Sequence, residues 1–268
     1  MIRVVVAGAS GWVGRALVGA IVAAPDLTLA AAVARSAAGR DAGEVAGGPA
    51  AGIAVVASLA EALAVPSDVV IDYTKPHVVK GHVLEALAAG RHVVVGTSGL
   101  SADDYAGIDA AARAAGRGVI AAGNFSITAT LLKRFAIIAA RHVPDVEIID
   151  YASARKPDTP SGTGRELAEI LSTVRGVPTS RPVEELGGVR ETRGGALNAG
   201  GIPVQVHSVR MPSFVLSAEV IFGLPDERLT IRHDAGSSAA PYVGGTLLAA
   251  RRVASTIGLA RGIDHLID

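Results

Sequence analysis

The chain has 268 residues, half of them hydrophobic, with very few aromatics, no cysteine, and 25 basic residues balanced by 25 acidic ones. This length allows one large domain or two modest ones with ample core, and the absence of cysteine excludes disulfides, thiolate metal sites and cysteine nucleophiles. A net charge of zero argues against nucleic acid or an anionic membrane as partner.

No apolar run is long enough for a membrane span. The N-terminus, Met1-Ile2-Arg3-Val4-Val5-Val6, enters a strand at once and leaves no room for a signal peptide. A soluble, cytoplasmic protein is expected. No His/Asp/Glu cluster has metal-ligand spacing, so no metal is expected.

Ile2 to Ala7 is a short continuous apolar run, the pattern of a strand buried on both faces of a parallel sheet. It ends in Gly8-Ala9-Ser10-Gly11-Trp12-Val13-Gly14-Arg15, followed by a helical pattern to about Ala24 and a second strand over Leu27 to Ala34. Strand, glycine turn, helix and strand make a βαβ unit. Gly8 permits the tight turn, Gly11 lets backbone approach a pyrophosphate, and Gly14 allows close helix–strand packing, which points to a dinucleotide site. Trp12 in this turn either covers the cofactor or sits in solvent. At the end of the second strand, where an NAD-selective site carries an acid, the chain has Ala34-Arg35-Ser36. An arginine there favours the 2′-phosphate of NADPH, with NADH as the alternative donor.

The alternation continues. Ser67 to Tyr73 is a strand ending in Asp72-Tyr73-Thr74-Lys75-Pro76, with a helix through about Ala89. Arg91 to Gly96 is a strand ending in Gly96-Thr97-Ser98-Gly99, with a helix over Ala102 to Ala115. Gly118 to Ala122 is a strand ending in Gly123-Asn124-Phe125-Ser126. In an open parallel sheet, ligands bind at the carboxyl ends of the strands. The turns at Gly8, Arg35, Thr74, Gly96 and Asn124 therefore fall on one edge. Alone, Thr97 and Asn124 are ordinary turn residues; their shared edge makes them candidates.

Ile127 to His142 reads as a long helix leading into a second region. From there long alternating strands follow: Val146–Ser153, Pro203–Arg210, Phe214–Gly223 and Glu227–Asp234. Period-two alternation predicts a mostly antiparallel four-stranded sheet with one wet face. Pro182 to Gly201, rich in glycine and charge, reads as a long mobile loop. A final helix from Pro241 to about Ile257 is expected to return to the first domain. The expected fold is α/β: a Rossmann-type doubly wound domain over 1–126 and 235–268, and a smaller α+β domain over 127–234.

Between the first of these strands and the helix after it lies Lys156-Pro157-Asp158-Thr159-Pro160-Ser161-Gly162-Thr163. The prolines stiffen the turn, and Thr163 with Glu166 has capping-box spacing for a helix start. A lysine, hydroxyls and a helix N-terminus at one rigid corner suit a carboxylate or phosphate. A plain well-capped corner with a solvated lysine fits the octapeptide alone slightly better. His207 and His233 fall on strands and are read as structural.

Taken together, the glycine turn, Gly96-Thr97-Ser98-Gly99, Asn124-Phe125-Ser126, Lys156 to Thr163, His207-Ser208-Val209-Arg210, Glu219 to Gly223 and Leu229 to Asp234 resemble the dihydrodipicolinate reductases of bacterial lysine and diaminopimelate biosynthesis. The resemblance spans the whole chain. It implies a nicotinamide-binding domain, a substrate domain that builds a homotetramer, and a hinge. It places the cofactor at Gly8, Ser10, Gly11, Trp12, Val13, Gly14, Arg35, Tyr73, Thr74, Gly96, Thr97, Ser98, Asn124 and Phe125. It places a small cyclic dicarboxylate substrate at Ser153, Lys156, Ser161, Gly162 and Thr163, with Lys156 as proton donor or carboxylate anchor. One departure stands out. Family members usually carry a His-His pair where this chain has Ala152 and Ser153, and alanine can neither transfer a proton nor donate a hydrogen bond. Tyr151 lies next to them but alternates to the face opposite Ala152. The departure leaves two further readings: a paralogous imine or carbonyl reductase, and a non-catalytic NADPH- or dicarboxylate-binding protein.

Overall fold

In a computed structural model, which describes residues 1–267, the chain forms two compact units: Met1–Ile127 with Ser238–Asp268, and Thr128–Ser237. In chain order the elements are β1 (Ile2–Ala7), α1 (Trp12–Ala23), β2 (Leu27–Val33), α2 (Ala42–Ala46), β3 (Val55–Val56), α3 (Leu59–Leu63), β4 (Val69–Asp72), α4 (Pro76–Ala88), β5 (His92–Val95), α5 (Ala102–Ala115) and β6 (Gly118–Ala121). Then come α6 (Ile127–Ala140), β7 (Asp145–Ala152), α7 (Gly162–Val174), β8 (Gly195–Leu197), β9 (Val204–Arg210), β10 (Leu216–Leu224), β11 (Glu227–Ala235), α8 (Ala240–Arg252) and β12 (Gly258–Arg261).

The first unit is a seven-stranded parallel sheet ordered β12-β6-β5-β4-β1-β2-β3. The continuous apolar run of β1 serves both faces, as a doubly wound sheet requires. Val4 and Val6 join Leu17, Val18 and Ile21 of α1 and Leu247 of α8 on one side. Val5 and Ala7 join Val79 and Val83 of α4 and Ile108 of α5 on the other. The C-terminal segment does return to this unit. Arg251 of α8 forks onto Asp26 with contacts of 2.6 and 2.9 Å, and β12 pairs with β6. The final helix ends sooner than its sequence pattern suggested. After α8 the chain makes one 3₁₀ turn at Val253–Ser255, and Gly258 then starts β12 with a positive φ of 87°.

The second unit is a mixed sheet ordered β11-β10-β7-β9-β8 with α6 and α7 on one face. Alternation along β7 sends Val146, Ile148, Asp150 and Ala152 inward, and the apolar members meet Leu132, Leu167, Leu171, Val206 and Phe222. The sheet is mostly antiparallel, as its alternation predicts, with β7 and β9 paired in parallel, and it has a fifth strand where four were expected. The added strand, β8, comes from the stretch read as a loop. Backbone pairing with β9 holds it, and its three residues are too few to show a period. The same stretch also holds 3₁₀ turns at Val183–Glu185 and Arg190–Arg193, the second tied by Arg193 to Glu147 of β7.

Candidate active site

Fourteen residues expected to hold a dinucleotide lie in the first unit. Gly8 has φ of +89°, and a Cβ on it would lie 2.2 Å from the carbonyl oxygen of Tyr73. A Cβ on Gly14 would lie 2.1 Å from the carbonyl oxygen of Gly8, so α1 can approach the turn only with glycine there. The turn is fastened by Gly8 and Ala9 N–H donors to Val33 O, both 3.0 Å, and by Arg15 Nε to Ser10 O at 2.9 Å. Gly11 is the N-cap of α1 and contributes no side-chain cap, nor is there an acid in the first turn. By helix geometry the leading N–H groups then have no intrahelical acceptor, which makes an anion cradle.

Next to this turn is a cavity of about 210 Å³ lined by Trp12, Val13, Tyr73, Gly96, Gly123, Asn124, Phe125 and Tyr242. Four of the chain's aromatics (one Trp, four Tyr and four Phe in all) line this one space. The Trp12 and Tyr242 rings meet edge to face at 5.6 Å, and Tyr73 and Phe125 lie 6.2 Å apart. Trp12 is half exposed and lines the cavity. The Tyr73 ring lies over the backbone of Gly96, where a Cβ would come within 2.1 Å of it. Burial pushes the Tyr73 hydroxyl well above the ordinary phenol range, and it bonds Thr246 Oγ1 at 2.8 Å. Asn124 Oδ1 accepts from Ser126 N–H at 2.8 Å, which shapes its turn.

Other expected residues stand outside the cavity lining. Arg35 is exposed in a 3₁₀ turn after β2, and the neighbouring Ser36 Oγ is 3.5 Å from Ser10 Oγ. Ser98 is exposed. Thr74 and Thr97 turn their hydroxyls to the buried carboxylate of Asp72, at 2.7 and 2.8 Å. The sequence reading missed Tyr242. An aromatic at the start of a helix otherwise rich in small residues was the available signal.

The second unit holds the lysine corner. Its organiser is Asp150, fully buried on the inward face of β7. Its carboxylate accepts from Ser161 N–H at 2.8 Å, Ser161 Oγ at 2.5 Å, Ser208 Oγ at 3.3 Å and Arg210 Nη2 at 2.7 Å. Arg210 Nη2 also donates to Asp158 O at 2.8 Å, so one guanidinium joins β7, β9 and the turn. Ser161 Oγ in turn accepts from Gly164 N–H at 3.2 Å and is the N-cap of α7. The capping box expected for Thr163 and Glu166 is therefore absent. The helix starts earlier because Ser161 is the hydroxyl anchored to Asp150, and Glu166 pairs with Lys133 instead. Gly162 and Thr163 occupy the first turn, whose N–H groups lack intrahelical acceptors. Lys156 Nζ lies 2.9 Å from Asp158 Oδ1, and that bond holds the Asp158 carboxyl below its ordinary range. The Thr159–Pro160 peptide is cis.

Ala152 is fully buried, and Ser153 Oγ accepts from Arg155 N–H at 3.3 Å. Tyr151 is taken up elsewhere: its hydroxyl donates to Glu219 Oε2 at 3.1 Å, and Arg232 lies 4.9 Å over its ring. Burial and Glu219 together push this phenol up. His207 Nε2 is 2.8 Å from Glu147 Oε2 and His233 is buried. The sequence reading passed over Asp150 and Arg210. An acid on an inward strand position is the signal that marks the first.

The family model described as dihydrodipicolinate reductase, N-terminus, matches residues 2–125, and the one described as dihydrodipicolinate reductase, C-terminus, matches residues 128–266. The chain belongs to the dihydrodipicolinate reductase family. It is 38% identical to the 4-hydroxy-tetrahydrodipicolinate reductase of Synechococcus elongatus, covering 99% of this chain and 98% of that protein. It is 36% identical to the protein of that name from Desulfitobacterium hafniense, covering 100% and 99%. The dipicolinate-bound dihydrodipicolinate reductase from Paenisporosarcina sp. TG-14 superposes over the full length of both chains with a TM-score of 0.86 at 28% identity. An amine dehydrogenase from Mycobacterium smegmatis, 16% identical with a TM-score of 0.66 over 97% of this chain and 94% of that one, shares the fold. Among the described residues no helix is long and apolar enough to cross a membrane.

Proposed function

We propose that this protein is an NADPH-dependent reductase that converts the cyclic imine dicarboxylate dihydrodipicolinate to tetrahydrodipicolinate in lysine and diaminopimelate biosynthesis, in the cytoplasm. The observation that carries this reading is the corner at Lys156, where an ammonium and an open helix start are held rigid by a buried carboxylate. NADPH, when bound, supplies the hydride. The glycine turn suits such a group, since Cβ atoms at Gly8 and Gly14 would collide with backbone and the start of α1 lacks a side-chain cap. The N–H groups after Gly11 would hold its pyrophosphate, and Ser10 with Arg35 its 2′-phosphate. Trp12, Tyr73, Gly96, Asn124 and Phe125 wall the cavity beside them.

In the second unit, a substrate carboxylate displaces Asp158 from Lys156, exchanging one anion for another at the same ammonium. The N–H groups of Gly162 and Thr163 and the Thr163 hydroxyl receive carboxylate oxygens, and Ser161 fixes their position from behind. Ala152 has no ionisable proton, so Lys156 Nζ would give the reduced substrate the proton that balances the hydride, and would recover one from solvent. The purified protein should oxidise NADPH with freshly generated substrate, and Lys156→Ala should lower kcat/KM by about a hundredfold or more. Turnover by Lys156→Ala at the wild-type rate would remove the lysine from this role. We further infer a homotetramer built on the outer sheet face, where the partly exposed Ile149 and Ile221 lie. A monomeric mass by light scattering would count against it.

A further inference from the structure

Asp72 ends β4, and its side chain is fully buried. Oδ1 accepts from Thr74 N–H at 3.0 Å, Thr74 Oγ1 at 2.7 Å and Thr97 Oγ1 at 2.8 Å. Thr97 Oγ1 also accepts from Thr74 N–H at 2.8 Å, and Gly96 N–H donates to Asp72 O at 2.9 Å. One carboxylate thus ties the turn after β4 to the turn after β5. Those turns carry Tyr73 and Gly96, which line the cavity. Oδ2 faces His82 of α4, with Nδ1 at 2.8 Å. The bond to Asp72 holds His82 above the ordinary imidazole pKa, and Glu85 one turn further along α4 adds to this. Lys80, also on α4, is paired with Asp104 of α5.

Without a donor on Oδ2 the buried carboxylate keeps an unsatisfied oxygen and is drawn toward water. That shift withdraws an acceptor from Thr74 and Thr97 and loosens both turns. We infer that His82 is a positioning residue for cofactor binding, acting through Asp72 to hold the turns at Tyr73–Thr74 and Gly96–Thr97 in the shape that receives the dinucleotide. This rests on the NADPH reading above. α4 is anchored to the sheet by Val79, Val83, Ala86 and Leu87. His82 is itself 23% exposed, so replacing it leaves that apolar face intact.

The test compares His82→Leu, which removes the donor, with His82→Asn, which keeps an N–H in reach of Asp72, each with a thermal melt. NADPH binding is followed by quenching of protein fluorescence, and steady-state constants are measured alongside. The leucine variant should bind NADPH about tenfold or more weakly and raise KM for NADPH similarly, while kcat at saturating NADPH stays within about twofold. The asparagine variant should stay within about threefold of wild type in both constants. If the leucine variant gives no cooperative melt, His82→Ala replaces it under the same criteria. NADPH affinity of the leucine variant equal to wild type, or equal losses in both variants, overturns the inference. Wild-type protein that neither binds nor oxidises NADPH overturns the reductase reading and this inference together. Wild type that does both, beside an unaffected leucine variant, overturns the inference alone.

Discussion

Arg210→Met examines the lysine corner through a residue outside the expected substrate set. It removes the cation from a carboxylate that is fully buried, while the guanidinium itself is only 16% exposed. Breaking one side of a buried pair costs about 3–5 kcal/mol. Asp150 keeps its Ser161 and Ser208 donors, so the lower end, about 3 kcal/mol, is expected. At roughly 2–4 °C per kcal/mol this lowers the melting temperature by about 6–12 °C. The bond to Asp158 O is lost as well, and the turn carrying Lys156 loosens. A displacement of ångström size at a reacting group costs about a hundredfold, so kcat/KM should fall by about ten- to a hundredfold. Adding Asp150→Asn neutralises the stranded charge and should recover about half of the lost stability. The assays are a urea or thermal melt and NADPH oxidation on the same preparations. The reasoning is refuted if Arg210→Met melts within 2 °C of wild type, taken as roughly 1 kcal/mol. It is equally refuted if adding Asp150→Asn lowers stability further.

Two other perturbations separate the units. Gly14→Ala forces a methyl to 2.1 Å from the Gly8 carbonyl oxygen; it should weaken NADPH binding by at least about tenfold and destabilise by about 1–3 kcal/mol, read by titration and melt. In the second unit, burial pushes the Glu147 carboxyl up, but Arg193 and His207 outweigh it and hold it below the ordinary carboxylate range. A carboxylate with a depressed folded pKa contributes stability above its unfolded pKa and loses it as pH falls through the folded value. Urea midpoints should therefore fall on acidification below pH 4.5, and Glu147→Gln should flatten that slope; an unchanged slope in the variant would refute the assignment.

Much of the first unit was legible because its signals are local and repeated. The apolar run of β1, the three glycines and the strand-end turns each state their geometry within a few residues. What lay beyond the sequence depended on distant partners. Val55–Val56 and Gly258–Arg261 are strands because they pair with β2 and β6, and neither is long enough to show a period. Tyr242 reaches the cavity only because α8 returns to α1. At the lysine corner the residue types were readable, but the choice of Ser161 over Thr163 as cap follows from Asp150, eleven residues upstream. Arg210, 60 residues away along the chain from Asp150, was visible only as part of a motif until the fold joined them.

The discontinuity of the first unit bears on how the protein is made. During synthesis the first 127 residues emerge with β6 as an unpaired edge and without α8 over Leu17, Val18 and Ile21. An open parallel edge beside an uncovered apolar face invites association with other chains. The second unit, whose own sheet lies within one continuous segment, is free to fold before that gap is closed. The nascent first unit must therefore wait through about 110 residues of translation, and at roughly 5–20 residues per second that interval lasts many seconds. Chains truncated before Ala240 should accumulate as aggregates or chaperone clients, even though every residue of the glycine turn is present in them.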